Sequence, residues 1–414
     1  MIRQVCVITL ALSCASQSHA EAYGVLAHEA VIDAAWEGTI VPLLKARFHA
    51  TDDQLKEARA YAYGGSLIQD LGYYPFSSRT FGDLTHYVRS GDFVVNMVDA
   101  ASDANEGAFA LGTLAHYIAD DDGHPLAVNP GVALIYPKLR AKFGDRITYE
   151  QNPAAHLKTE FGFDVVQVAR GVYAPTMYHS FVGFEISKPL LERAFLATYG
   201  LRLDDVFGDL DFSVRTFRYA VGTMIPQMTK VAWQDKRADI EQASPGITQQ
   251  QFLFGLSRQD FEHEWGTKYD HPGFRSKFLA IILKIVPKIG PFRSLSFKAP
   301  TPQAEHLFAE SFTATVRRYR AMVAAVSAGR LSLANHNLDT GQPTKVGDYR
   351  RADEAYETLL EKLCERDSAG VPAAVRQNVL AYFADYQSQS TSKQERARSA
   401  KIASELSELR AGAN

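Results

Sequence analysis

The chain has 414 residues, 46% of them hydrophobic and 22% charged. That composition excludes a disordered or fibrous protein, and the length fits two domains. Lys and Arg number 44 against 47 Asp and Glu, a formal net charge of −3, so no global positive field draws the chain to nucleic acid. Attraction to a polyanion has to come from a local patch or from bound metal.

The first 22 residues have the form of a secretory signal. Arg3 gives a short basic start, and Val5 to Cys14 is an apolar stretch too short to span a bilayer. The small-x-small rule fits cleavage after Ala20 or after Ala22, whereas Ala11-Leu12-Ser13-Cys14 is a poor lipoprotein signal. Cleavage removes Cys6 and Cys14 and leaves Cys364 alone. The exported protein then has no internal disulfide and must be held by its core, with or without a metal. No later segment reaches the roughly 18 apolar residues that a spanning helix needs.

Downstream the apolar periodicity is helical. Val25, Leu26, Ile32, Ala35 and Trp36 lie at helical spacing within residues 24–48. Thr51 with Gln54 is a capping box, opening a helix expected to stop at Gly64-Gly65. Asp103 with Glu106 opens another, whose apolar stripe is Phe109, Leu111, Leu114, Ala115 and Ile118. Further helices are predicted over 155–172, 188–200, 211–234, 302–328, 351–365, 371–387 and 393–411. No stretch has convincing strand alternation, so the predicted class is all-α. A boundary is expected near 236–249, at Ser244-Pro245-Gly246, and a polar loop from about 330 to 348 divides the rest.

Histidine and carboxylate carry the chemistry. His116, Asp120 and His124, in HYIADDDGHP, stand at i, i+4 and i+8 and share a face if the helix persists. Imidazole and carboxylate at i, i+4 are ligand geometry for zinc. His116 and His124 would lie about 12 Å apart along the axis, too far to serve one ion, so Asp120 between them can bridge two. His156 and Glu160, in HLKTE, repeat the i, i+4 pair. Asp70, His86 and His28 add three more donors. Each has an ordinary reading as a cap, a buried imidazole or a surface ion pair. A shared cause accounts for all of them together.

The order and types of these residues resemble the zinc-dependent phospholipase C and S1/P1 nuclease superfamily. In that family the mature chain starts with an aromatic residue, usually Trp, whose amine and carbonyl bind zinc. A His, an Asp, a His, an HxxxD pair with a third His after it, and an HxxxE pair follow. This sequence offers, in order, Tyr23, His28, Asp70, His86, His116, Asp120, His124, His156 and Glu160. The nuclease branch opens on an aromatic-Gly pair with a His five residues on. Tyr23-Gly24 before His28 keeps that spacing and favours cleavage after Ala22. Tyr stands where Trp is usual, and the gap from Asp120 to His124 is shorter than in better-known members, so Asp121 or Asp122 could take the place of His124.

The resemblance implies an all-helical catalytic domain over 23–235, followed by a helical C-terminal region of unassigned role over 236–414. It also implies three zinc ions. Asp70, His86, His116 and Asp120 would hold one, Asp120 would bridge to a second held by His28 and the Tyr23 terminus, and His124, His156 and Glu160 would hold the third. Closely spaced divalent ions make a nucleophile of a bridging water and clamp the phosphate oxygens of an in-line displacement. Asp70, beside that water, is the candidate general base.

Tyr73, Tyr74, Phe76 and Phe81 could cage a cationic head group, stack a base or simply pack. Residues 271–300 carry Arg275, Lys277, Lys284, Lys288, Arg293 and Lys298 among apolar residues. That is the look of a segment for an anionic membrane surface, or of a buried helix with snorkelling lysines. The expected function is an exported zinc phospholipase C acting on phospholipid at a membrane surface, with no protein partner implied. A single-strand nuclease or nucleotidase acting on nucleic acid is the alternative enzyme, and a zinc-fold binding protein without turnover is the non-catalytic one.

Overall fold

The computed structural model describes residues 23–74, 76–169, 184–221, 298–366, 370–386 and 392–412, together with Trp233, Arg237, Ala238, Glu241 and Gly246. The predicted signal segment, the predicted helix beyond residue 221, most of the boundary expected near 236–249 and the basic apolar segment up to residue 297 lie outside the described residues.

The described chain is all-α apart from one two-residue strand pair. In order, the N-terminal helices are α1 (Val25–Ala35), α2 (Val41–Phe48), α3 (Asp52–Leu67), α4 (Arg79–Tyr87), α5 (Ser90–Ala100) and α6 (Ala104–Gly123). Next come α7 (Asn129–Ile135), α8 (Pro137–Phe143), α9 (Pro153–Ala169), α10 (Lys188–Tyr199) and α11 (Leu210–Tyr219). The C-terminal part has α12 (Pro302–Ser327), α13 (Arg350–Arg366), α14 (Ala373–Tyr382) and α15 (Lys393–Ala411). Between α12 and α13 the strands β1 (His336–Asn337) and β2 (Gln342–Pro343) pair antiparallel, with His336 opposite Pro343. No helix of the described residues is long and apolar enough to cross a membrane.

The caps read from the sequence are made. Gln54 N–H donates to Thr51 Oγ1 and Thr51 N–H to Gln54 Oε1, opening α3. Asp103 Oδ1 accepts from Glu106 N–H and opens α6. The expected stop at Gly64-Gly65 is incorrect: α3 runs through both to Leu67. These glycines serve close approach instead. A Cβ on Gly65 would lie 1.9 Å from Phe109 O on α6, and one on Gly112 would lie 2.1 Å from Ala62 O. The two helix backbones therefore touch where side chains would hold them apart. Gly65→Ala should lower stability by about 1–3 kcal/mol through overpacking, read as a drop in the denaturation midpoint. An unchanged midpoint would show that the helices can part freely.

This α3–α6 pair forms the centre, and α1, α5 and α12 pack around it. One continuous apolar core joins Tyr23, Leu67, Phe109 and Phe195 to Phe308, Tyr319, Leu359 and Leu409. The C-terminal helices thus share the core of the helices that carry the His and Asp residues.

Candidate metal centre

The local folding of six segments brings the donors together. His28 lies on α1, whose start is fixed from α9: Asp164 accepts from the backbone N–H groups of Leu26 and Ala27, both at 3.1 Å. This carboxylate satisfies donors that an α-helix leaves open at its N-terminus. It comes so close that a Cβ on Gly24 would meet Asp164 Oδ2 at 2.0 Å, which requires glycine after Tyr23. Asp70 sits in the 3-10 turn Ile68–Tyr73 that continues α3. His86 is in the last turn of α4, and His116 and Asp120 are one turn apart on α6. Helix α6 ends at Gly123 and passes into a π-helical turn, His124–Val128. That turn breaks the regular spacing that the sequence assumed for His124.

His28, Asp70 and His116 form one group whose donor atoms lie within 4.8 Å of one another, and His86, His116 and Asp120 form a second. They make a single nest. Asp120 Oδ2 is 3.2 Å from His116 Nε2 and 3.4 Å from His86 Nε2, while Oδ1 is 3.4 Å from His28 Nε2. Asp70 Oδ1 is 3.4 Å from His86 Nε2. His124, His156 and Glu160 make a third group within the same 4.8 Å limit. All eight side chains are at most 4% exposed, so water does not satisfy them.

The hydrogen bonds test whether metal fits. His86 Nδ1 is 2.8 Å from Gly82 O and His116 Nδ1 is 2.9 Å from Ser66 O. A carbonyl only accepts, so each Nδ1 carries the proton and each Nε2 points its lone pair into the nest. Those two Nε2 atoms are 3.3 Å apart. Both ring nitrogens of His28 and both carboxylate oxygens of Asp70 and of Asp120 make no hydrogen bond. Converging lone pairs and bare buried carboxylates call for a cation, and imidazole with carboxylate is a zinc donor set. The residues fit the metal.

Burial and neighbouring charge set their ionisation: burial opposes charge on His116, but Asp120 and Asp70 outweigh it and raise that imidazole. Burial opposes charge on Asp120, but His116, His86 and His28 outweigh it and hold its carboxyl well below the usual range. Burial pushes the Asp70 carboxyl well above that range, with Asp120 adding to the rise. Burial, then His116, pushes His28 well down, and burial pushes His156 down to about 3. Both imidazoles are therefore neutral, the form that binds metal. A neutral His156 can donate to only one of its two close partners, Glu160 Oε1 at 2.6 Å from Nδ1 and Asn129 Oδ1 at 2.7 Å from Nε2.

The three acids in a row are sorted by the fold. Only Asp120 turns inward to the nest. Asp121 is paired with Arg318 (2.8 Å) and His336 (2.7 Å), and Asp122 with Arg318 (2.6 Å), all from the C-terminal part. Of the residues weighed for that place, His124 is the one that stands beside His156 and Glu160. Tyr23 is buried beside the nest, its ring 6.1 Å from that of His28 and its hydroxyl bonded to Ser311 Oγ.

The aromatics divide as well. Phe81 packs against Phe195 and Phe207, Tyr74 against Phe217, and Phe76 is 53% exposed. Tyr73 lies 5.2 Å from His86 and lines the nest. With Tyr87 and Tyr149 it surrounds the Arg351 guanidinium, which donates to Asp83. This aromatic cage is occupied by the chain's own cation. Two residues near the donors escaped the sequence reading: Asn129, bound to His156, and Asp339, whose Oδ1 is 3.0 Å from His124 Nδ1. The loop carrying Asp339 offered only turn chemistry, Asn337-Leu338-Asp339-Thr340-Gly341.

No curated protein and no solved structure is significantly similar to the chain. Residues 27–208 match the sequence profile described as zinc dependent phospholipase C. That stretch contains His28, Asp70, His86, His116, Asp120, His124, His156 and Glu160, and with it the whole buried donor set described above. Over residues 27–208, the chain is similar to the zinc dependent phospholipase C family.

Proposed function

We propose that the protein is an exported zinc metallohydrolase that cleaves phospholipid on the diacylglycerol side of the phosphate. The observation that carries this reading is the convergence of His28, Asp70, His86, His116 and Asp120 in one dry nest within the matched stretch, with two Nε2 lone pairs 3.3 Å apart. Asp70, His86, His116 and Asp120 would hold one zinc, His28 and the terminus of Tyr23 a second shared with Asp120, and His124, His156 and Glu160 a third. When bound, the ions would activate water near neutral pH and neutralise the phosphate oxygens. The chain's own part is to orient and to move a proton. Gly82 O and Ser66 O fix the rings of His86 and His116, and Asp70 accepts the proton of the attacking water at a carboxylate oxygen. Exposed Phe76, packed edge-on against Phe212, supports an apolar substrate surface.

The test uses the zinc-loaded protein beginning at Tyr23, incubated separately with phosphatidylcholine vesicles and with single-stranded DNA. The expected products are diacylglycerol and phosphorylated head group. Nucleotide release without lipid turnover would replace the proposal by a nuclease. Neither product, with zinc retained, would make the fold a binding module.

A further inference from the structure

Residues 334–341 lie outside the stretch matched to the family, yet they close over the donors. Leu338 N–H donates to His86 O at 3.1 Å, Ser90 Oγ–H to His336 O at 2.6 Å and Tyr117 O–H to Ala334 O at 2.7 Å. Asn129 Nδ2–H donates to Asp339 O at 2.7 Å, and Asn337 Oδ1 accepts from Asp339 N–H at 3.0 Å. The loop is therefore fastened to α4, α5, α6 and α7, with Asp339 buried in it, 2% exposed.

The two oxygens of Asp339 are treated differently. Oδ2 accepts from Tyr149 N–H at 3.0 Å and from Tyr349 O–H at 2.6 Å. Oδ1 makes no hydrogen bond. It faces His124 Nδ1 at 3.0 Å and His156 Nε2 at 3.6 Å. Zinc bonds of about 2.1 Å in a tetrahedron set neighbouring donors about 3.4 Å apart, and these two separations bracket that value. A buried carboxylate, clamped on one side and bare toward two imidazoles on the other, has the form of a metal donor.

We propose that Asp339 is a further protein donor to the zinc held by His124, His156 and Glu160, supplied by the C-terminal region. This rests on the reading that the third group takes zinc. Four protein donors close a tetrahedral site, and a closed zinc site is structural rather than catalytic. The third ion then staples the C-terminal loop to the matched domain, and open positions for water and phosphate remain at the other two ions.

The test counts metal. Asp339→Asn keeps the size and an oxygen to accept from Tyr149 and Tyr349, but removes the charged donor. At limiting free zinc, the wild type should retain three ions per chain after desalting and Asp339→Asn two. A variant count equal to wild type overturns the assignment. If Asp339→Asn does not fold, a second variant decides. Asp339→Cys in a Cys364→Ser background, loaded with cobalt, should show thiolate-to-cobalt charge transfer in the near ultraviolet that Cys364→Ser alone lacks. Absence of that band overturns the assignment. A wild type that takes up no metal overturns the zinc reading itself, whereas metal uptake with an unaffected residue 339 overturns only the role of Asp339.

Discussion

Stripping zinc from the zinc-loaded protein is expected to lower its melting temperature by about 8 °C or more. The donors come from α1, the turn after α3, α4, α6, α9 and the segment joining α6 to α7, and only the folded chain assembles them. Metal that binds the native state alone adds its binding free energy to stability, about 4 kcal/mol for each site at a thousandfold excess over the dissociation constant. One kcal/mol moves the melting point of a domain of 150–250 residues by about 2–4 °C. The cost is larger here because the empty nest cannot relax into water. Asp70 and Asp120, 1% and 0% exposed, lie among buried imidazoles with no hydrogen bonds to replace the cation. Calorimetry with and without chelator, beside elemental analysis, reads the result. An unchanged melting temperature in a protein that contains no zinc would mean that these residues hold no cluster.

The clustered His, Asp and Glu residues were legible in the sequence because helical spacing and residue type are both local. His116 with Asp120 and His156 with Glu160 sit at i, i+4 on helices that form as expected. The caps at Thr51 and Asp103 are equally local and were read correctly. What the sequence could not supply was anything decided by approach from elsewhere. Gly64 and Gly65 look like a helix stop until the backbone of Glu185 closes on the first and α6 on the second, where side chains would not fit. Asp121 and Asp122 look equivalent to Asp120 until Arg318 and His336 claim them. Asp339 sits 179 residues after Glu160 in a loop whose turn residues say nothing of burial, and only the folded chain sets it against His124. The aromatic run after Asp70 was ambiguous for the same reason: Phe81 entered the core, Phe76 stayed outside, and Tyr73 joined a cage filled by Arg351.

Asp70→Asn is expected to slow phosphodiester hydrolysis by at least about 100-fold, the lower range for loss of a general base, while Asp209→Asn stays within about twofold of wild type. The two carboxylates differ in surroundings. Asp209 caps α11, its Oδ1 accepting from Phe212 N–H at 2.8 Å, and Asn caps a helix as well as Asp does. Asp70 is buried in the nest with both oxygens bare, and burial raises its affinity for a proton. Its substitution keeps the volume and one oxygen that can still coordinate, but removes the charge and the basicity. The amide also brings N–H groups toward His86 Nε2, 3.4 Å from Asp70 Oδ1, so that ring can be satisfied without metal and one ion should bind more weakly. Rates must therefore be compared per fully metallated chain, with the metal content of each variant measured in the same sample. If Asp70→Asn carries its full zinc and turns over at the wild-type rate, Asp70 serves only to bind metal, and the proton goes to another group in the nest.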